Sequence, residues 1–180
     1  ATSTEFGLKY NTSNFKFSTA LFNRNAKNII DYVKQSEDDL WKAVNIGSLS
    51  TSGFELDMSY RFKSSYSLSN DNSISIGYTN IKDDNYVSDI NFSKYSLNSL
   101  KHHFISKFNL IYIKNINHSI IYKYAERSDK SNYSVLDSKI MYKKGLFIYL
   151  NNILDQIYSE TNLVPMPGRS FLVGCSFGID

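Results

Sequence analysis

The sequence predicts an all-β fold: an antiparallel meander of about nine strands that forms part of a transmembrane β-barrel. Three observations predict it. Apolar and polar residues alternate with period two over most of the 180 residues. Tight turns and long polar connections alternate along the chain. The strand count is odd, so the first and last strands run in the same direction.

The elements follow in order. In EFGLKY, Phe6, Leu8 and Tyr10 share a face, because successive side chains of a strand point to opposite sides. In NFKFSTALFNR, Phe15, Phe17, Thr19 and Leu21 oppose Lys16, Ser18 and Arg24. IIDYVKQSEDDLWKAV has too poor a helical period and reads as part of a long loop over residues 25–47. GFELDMSYRFK is the clearest strand: Phe54, Leu56, Met58, Tyr60 and Phe62 on one side, Glu55, Asp57, Ser59, Arg61 and Lys63 on the other. SISIGYTN, HFISKFNLIYI, HSIIYKYAER, LDSKIMYK and GLFIYLNN alternate in the same way. The last strand is SFLVGCSFGI, with Phe171, Val173, Cys175, Phe177 and Ile179 on one face. Several of these approach the roughly 9–11 residues with which a tilted strand crosses a bilayer.

NTSN (11–14), KNIN (114–117) and KKG (143–145) are tight turns, and KSSYSLSNDN (63–72) is intermediate. The connections at 25–47, 82–98, 126–132 and 154–168 are long and polar. All the short turns therefore fall at one end of the meander, an asymmetry found in outer-membrane barrels. Period two by itself fits an apolar face turned inward in a soluble barrel or outward in a membrane barrel. Tyrosines near strand ends (Tyr10, Tyr60, Tyr78, Tyr112, Tyr142) resemble an interfacial girdle and favour lipid. On that reading Glu55, Asp57, Arg61, Lys63, Lys107, Lys123 and Lys139 face the lumen.

Composition adds exclusions. Lys+Arg number 20 against 17 Asp+Glu, with no basic stripe for nucleic acid. The single Cys175 leaves no internal disulfide. ATSTEFGLKY reads as a strand rather than a signal peptide, so a mature form, a fragment or a protein that stays in the cytoplasm is expected. His102 and His103 are adjacent on a strand and point to opposite faces, a poor start for one metal ion. His118 lies by a turn. SEDDLW (36–41) and KDDN (82–85) lack the spaced ligands of a calcium loop. No catalytic, cofactor-binding or metal residue is assigned, and Cys175 reads as a small apolar group. Bacterial single-chain barrels have even strand numbers. Nine strands cannot close one antiparallel ring, so residues 1–180 read as the C-terminal barrel segment of a larger barrel.

LNNILDQIYSETNLVPMPGRSFLVGCSFGI resembles the C-terminus of TonB-dependent outer-membrane receptors. The matching residues are Asn152-Ile153-Leu154-Asp155, Tyr158, Pro167-Gly168-Arg169 and the strand Phe171 to Ile179. EFGLKY, the stretch from Asn45 to GFE (53–55) and YAERSDKSNY (124–133) also resemble that family's strands. The resemblance implies a barrel of about 22 strands around an N-terminal plug domain, with plug, TonB-binding segment and earlier strands outside this chain. It implies a bacterial outer-membrane monomer that takes up a scarce small-molecule nutrient of the siderophore-iron or cobalamin type and does no chemistry on it. It further implies contact with outer-membrane lipid and an assembly signal for the barrel-assembly machinery at Phe171, Val173, Phe177 and Ile179. Ile179 and Asp180 stand where the family ends on an aromatic. Tyr32 and Trp41, in the first long loop, are candidate ligand contacts. Two other readings stay open from the residues: a self-contained small outer-membrane barrel with a structural or adhesive role, and a soluble lipocalin-like binder.

Overall fold

The computed structural model describes residues 1–65, 72–85, 91–93, 100–128, 130–142, 145–161 and 164–175. These form fourteen strands: β1 (Thr2–Asn11), β2 (Phe15–Lys27), β3 (Ile30–Lys34), β4 (Lys42–Asn45), β5 (Ser48–Phe62), β6 (Asn72–Asn85), β7 (Phe92–Ser93), β8 (Leu100–Ile113), β9 (Ile116–Arg127), β10 (Asn132–Tyr142), β11 (Leu146–Asn151), β12 (Ser159–Thr161), β13 (Val164–Pro165) and β14 (Ser170–Cys175). Nine of them make one antiparallel sheet in the order β1-β2-β5-β6-β8-β9-β10-β11-β14. The nine are the nine expected from period two. Among the described residues β1 and β14 each have a single partner, so the sheet is open at both edges.

Register decides which stripes merge, because directly opposed residues of an antiparallel pair share a face. Leu8 opposes Thr19, Thr19 opposes Leu56, Leu56 opposes Tyr78, Tyr78 opposes Phe104 and Phe104 opposes Tyr124. Farther along, Ile140 opposes Ile148, which opposes Val173. The separate apolar stripes thus join into one apolar face across all nine strands. The polar residues join on the other side in the same way. A cavity of about 530 Å³ opens on that polar side, between Lys16 and Lys107, so the polar face is concave there. On the apolar face Leu21 of β2 is 59% exposed and Ile148 of β11 47%, although each strand has a neighbour on both sides. A lipocalin-like binder would bury such residues in a dry interior; here they lie open.

Polar groups on the apolar face pair with one another. Tyr78 Oη lies 2.7 Å from His102 Nδ1, His118 Nε2 lies 2.8 Å from Ser138 Oγ, and Tyr122 Oη lies 3.0 Å from Ser134 Oγ. Such pairing suits a surface with no water to satisfy them. His103 is carried on the opposite face, as adjacent strand positions require. Tyr10 packs on Phe15 (6.4 Å between ring centres) and Tyr60 on Phe62 (6.0 Å) near the short-turn end. Tyr142 belongs to the same end; the side chain of Tyr112 lies outside the described set.

The strands run longer than their apolar stripes. β2 reaches Lys27, β6 reaches Asn85 and β9 reaches Arg127, because backbone pairing continues past the last apolar residue. The long connections are correspondingly shorter than period two predicts. Two of them also carry structure of their own: β3 and β4 pair within 28–47, which corrects the loop reading of that stretch, and β12 pairs with β13 within 152–169. Short side-chain bonds close the tight turns; Thr12 Oγ1 accepts from Phe15 N at 2.9 Å, and Asn115 takes a left-handed φ of 66°.

Gly53 is the most tightly enclosed of the described glycines. A Cβ there would lie 2.2 Å from Asn80 O and 2.6 Å from Phe22 Cζ, whose ring lies across it. Gly53→Val is therefore expected to pull β5 away from β6 and to cost at least about 1–3 kcal/mol. Gly168→Ala meets only Asp155 Oδ1, at 3.5 Å, and is expected to be neutral. Urea midpoints of the two variants in detergent micelles check the contrast.

Candidate functional site

The long-connection end gathers the features that can recognise something. The first is a small sheet in the order β4-β3-β7, which joins residues 30–45 to residues 92–93 of a different connection. Its base is closed by Ile46 N donating to Ile29 O at 2.8 Å, with Gly47 at φ 85° turning the chain into β5. One face of the hairpin is buried: Asp31 (1% exposed), Val33 and, beyond it, Ile46. The Asp31 carboxylate accepts from Ser93 Oγ at 2.5 Å and from Tyr32 N at 2.7 Å, which fastens the two connections together. Asn91 Nδ2 adds a bond to Gln35 O at 3.0 Å.

The other face of the hairpin is exposed and oily. Tyr32 opposes Ala43, and Trp41 follows two positions before Ala43, under the ammonium of Lys34 at 5.2 Å from the ring centre. Tyr32, Trp41 and the strongly exposed Ile30 thus share one surface. The structure brings the two sequence-predicted loop residues onto a common surface. The signal missed in the sequence was Asp31, a buried carboxylate with no motif around it.

Residues 36–39 make the tip of the hairpin. Ser36 N donates to Asp39 Oδ2 at 2.9 Å, and Asp39 N returns a bond to Ser36 O at 3.3 Å. The donation from Ser36, backbone first and side chain second, holds the Asp39 carboxyl below its ordinary value of 3.8. A lowered value means that the tip is favoured at pH above about 4 and loosens as the pH falls through the Asp39 value. The Ser36 amide resonance is expected to titrate with Asp39, with a midpoint below 3.8, and to lose that titration in Asp39→Asn.

The second feature is the connection 152–169, which folds back on the polar, concave wall. Asn152 is 3% exposed and has a left-handed φ of 47°. Its backbone N donates to Asp137 Oδ1 at 2.9 Å. Its side chain accepts from Gln156 N at 3.0 Å and donates to Gln156 O at 2.9 Å and Pro167 O at 3.2 Å. One asparagine thereby joins the strand wall to both ends of the connection. Asp155, also left-handed, accepts from Arg169 N at 3.0 Å and lies 3.9 Å from its guanidinium. Tyr158 packs on Tyr133 at 4.6 Å between ring centres, and Arg127 Nη2 donates to Glu160 O. Burial first, and Glu160 second, push the Tyr158 phenol up, so it stays a neutral donor. Beneath this connection Val135 (2% exposed) and Ala125 (1%) form the driest spot of the wall.

The predicted assembly-signal residues fall in two groups. Phe171 and Val173 lie on the apolar face of β14, 77% and 65% exposed. Phe177 and Ile179 lie outside the described residues. Among the described residues no three His, Cys, Asp or Glu side chains gather as a metal site.

Comparison with known proteins gives the family. The family described as TonB dependent receptor-like, beta-barrel matches residues 1–153. No curated protein matches the chain. Among solved structures, the FrpB iron transporter from Neisseria meningitidis (F3-3 variant) is similar with a TM-score of 0.67 and 16% identity, covering 96% of this chain and 30% of that one. The copper transporter OprC gives 0.66 and 13%, covering 94% and 29%. The ferric yersiniabactin uptake receptor FyuA from Yersinia pestis gives 0.65 and 16%, covering 96% and 27%. At these identities the likeness is one of fold, and the chain spans less than a third of the length of each relative.

Proposed function

Because this chain belongs to the TonB-dependent receptor β-barrel family, we propose that it supplies nine wall strands of an outer-membrane receptor for a scarce, large, metal-bearing nutrient. The observation that supports this best is the open nine-strand sheet, with a continuous apolar face on one side and a concave polar face on the other. The apolar face meets outer-membrane lipid. The concave face lines a lumen filled by a plug domain, which TonB addresses from the periplasm. The long-connection end is extracellular, and the Tyr32–Trp41 patch contributes to nutrient capture. The cargo is of the siderophore-iron type, with cobalamin as a second member of the same size class. The chain transports and does no chemistry, so it needs no catalytic residue. Phe171 and Val173 present the β14 stripe to the barrel-assembly machinery.

The native protein tests the proposal. It should fractionate with outer membranes, need detergent for extraction and have an intact mass several-fold above the 20.7 kDa of these residues. Cells lacking it should lose growth on one metal chelate under limitation of that metal. A water-soluble native protein of 20.7 kDa would refute the reading.

A further inference from the structure

We infer that the concave wall toward the short-turn end binds an acidic segment of the domain that fills the lumen. The inference rests on the receptor reading above and adds the chemistry of one of its internal interfaces.

Charge on this wall is segregated by depth. Three adjacent cross-strand rows run Lys9–Ser18–Asp57–Gly77–Ile105–Lys123–Val135, Asn11–Lys16–Ser59–Ser75–Lys107–Ile121–Asp137 and Arg61–Ser73–Asn109–Ser119–Lys139. They hold six cations (Lys9, Lys16, Arg61, Lys107, Lys123, Lys139) against two carboxylates (Asp57, Asp137). The next row toward the long-connection end, Gly7–Ala20–Glu55–Thr79–His103–Ala125–Tyr133, holds Glu55 and no Lys or Arg. Asp137 already accepts the Asn152 N–H. The ion pairs found among the described residues, Lys101–Glu126 and Arg169–Asp155, leave these six cations out. A chain of net charge +3 has therefore concentrated cations on one part of one face.

The shape fits a polypeptide better than a small ion. The floor between Lys16 and Lys107 is Ser18, Ser59, Ser75 and Gly77, low enough to leave the 530 Å³ cavity. Hydroxyls and amides of this floor and of the row beside it bond to each other: Ser75 Oγ to Ser59 Oγ at 3.2 Å, Asn109 Nδ2 to Ser73 Oγ at 3.0 Å, Ser119 Oγ to Asn109 Oδ1 at 2.7 Å. Backbone N–H groups are used by the sheet ladder, so no preset cradle of donors awaits a free anion. The cavity crosses five strands, roughly 20 Å at the usual spacing. Lysines on long, flexible stems over a low floor suit carboxylates carried by a segment that other contacts already hold in place.

The full receptor in native outer membranes provides the test, by zero-length carbodiimide coupling and peptide mass mapping. Lys101 and Glu126, 3.8 Å apart on the outer wall, serve as the internal positive control. We expect amide links from Lys16 or Lys107 to Asp or Glu residues of the lumen domain, lost in Lys9→Gln/Lys16→Gln/Lys107→Gln while the control link persists. Acylation of Lys107 by a soluble reagent should also slow at least several-fold when the lumen domain is present. Links from Lys107 to Asp57 only, or equal acylation with and without that domain, would show a wall open to water and overturn the inference. A native polypeptide of only 20.7 kDa would instead overturn the receptor reading together with it.

Discussion

Met58→Arg is expected to lower the stability of the folded barrel by about 2–4 kcal/mol, and Ser59→Arg by less than about 1 kcal/mol. The two residues are neighbours in β5 and point to opposite faces. Met58 opposes Phe17 on one side and Ile76 on the other, in the middle of the apolar face. An arginine there must shed its hydration into hydrocarbon or bend past Tyr60 toward the short-turn end. Ser59 opposes Lys16 and Ser75 on the concave face, where a guanidinium meets polar groups instead of hydrocarbon. Equilibrium unfolding of the full receptor in lipid vesicles measures both. Equal costs at the two positions would mean that the facing of the sheet has been assigned wrongly, and every statement about lumen and lipid would fall with it.

Asn152→Ala is expected to release the connection 152–169 from the wall, at a local cost of about 1–3 kcal/mol. Three side-chain hydrogen bonds disappear, and the amide N and the carbonyl O of Gln156 each lose a partner. A fully buried group left unsatisfied costs about 1–3 kcal/mol, and Gln156 and Pro167 lie near the surface, where water relieves much of that. The left-handed backbone at Asn152 adds to this, because alanine tolerates it less well than asparagine. Amide exchange at Gln156 and proteolysis within 153–169 should accelerate together, while exchange in β5 and β6 stays unchanged. Asn152→Asp keeps the acceptor for Gln156 N, loses both Nδ2 donors and places a charge beside Asp137; it should release the connection as alanine does. Unchanged exchange at Gln156 in Asn152→Ala would show that Tyr158–Tyr133 and Arg127 hold the connection without it.

Much of this architecture was legible because strands write their facing into alternate letters. Phe54, Leu56, Met58, Tyr60 and Phe62 specify a face without reference to any neighbour, and so do the stripes of the other eight sheet strands. Connection lengths then fixed which end carries short turns. The hairpin of β3 and β4 escaped because both its faces carry apolar residues: Tyr32 and Ile30 outward, Val33 inward beside Asp31. A period is visible only when one face is wet and polar. β7 is two residues long, too short for any pattern, and exists because Ser93 reaches Asp31. Asn152 was noticed through a family resemblance, yet its role depends on partners at 137, 156 and 167 that only the folded chain assembles. The charges of the polar face were expected singly; their grouping into adjacent rows needed the register.

The open borders of the sheet carry a consequence for handling this stretch by itself. Since β1 and β14 point the same way, a second copy placed upright beside the first would have to join border to border with parallel ladders. Antiparallel sealing needs the copy turned upside down, like border meeting like border. A membrane that receives every polypeptide from one side forbids inverted twins, whereas a refolding tube permits them. Residues 1–180 produced in isolation should therefore gather into head-to-foot pairs or longer ribbons, and stop doing so once strands of opposite polarity are supplied to both borders.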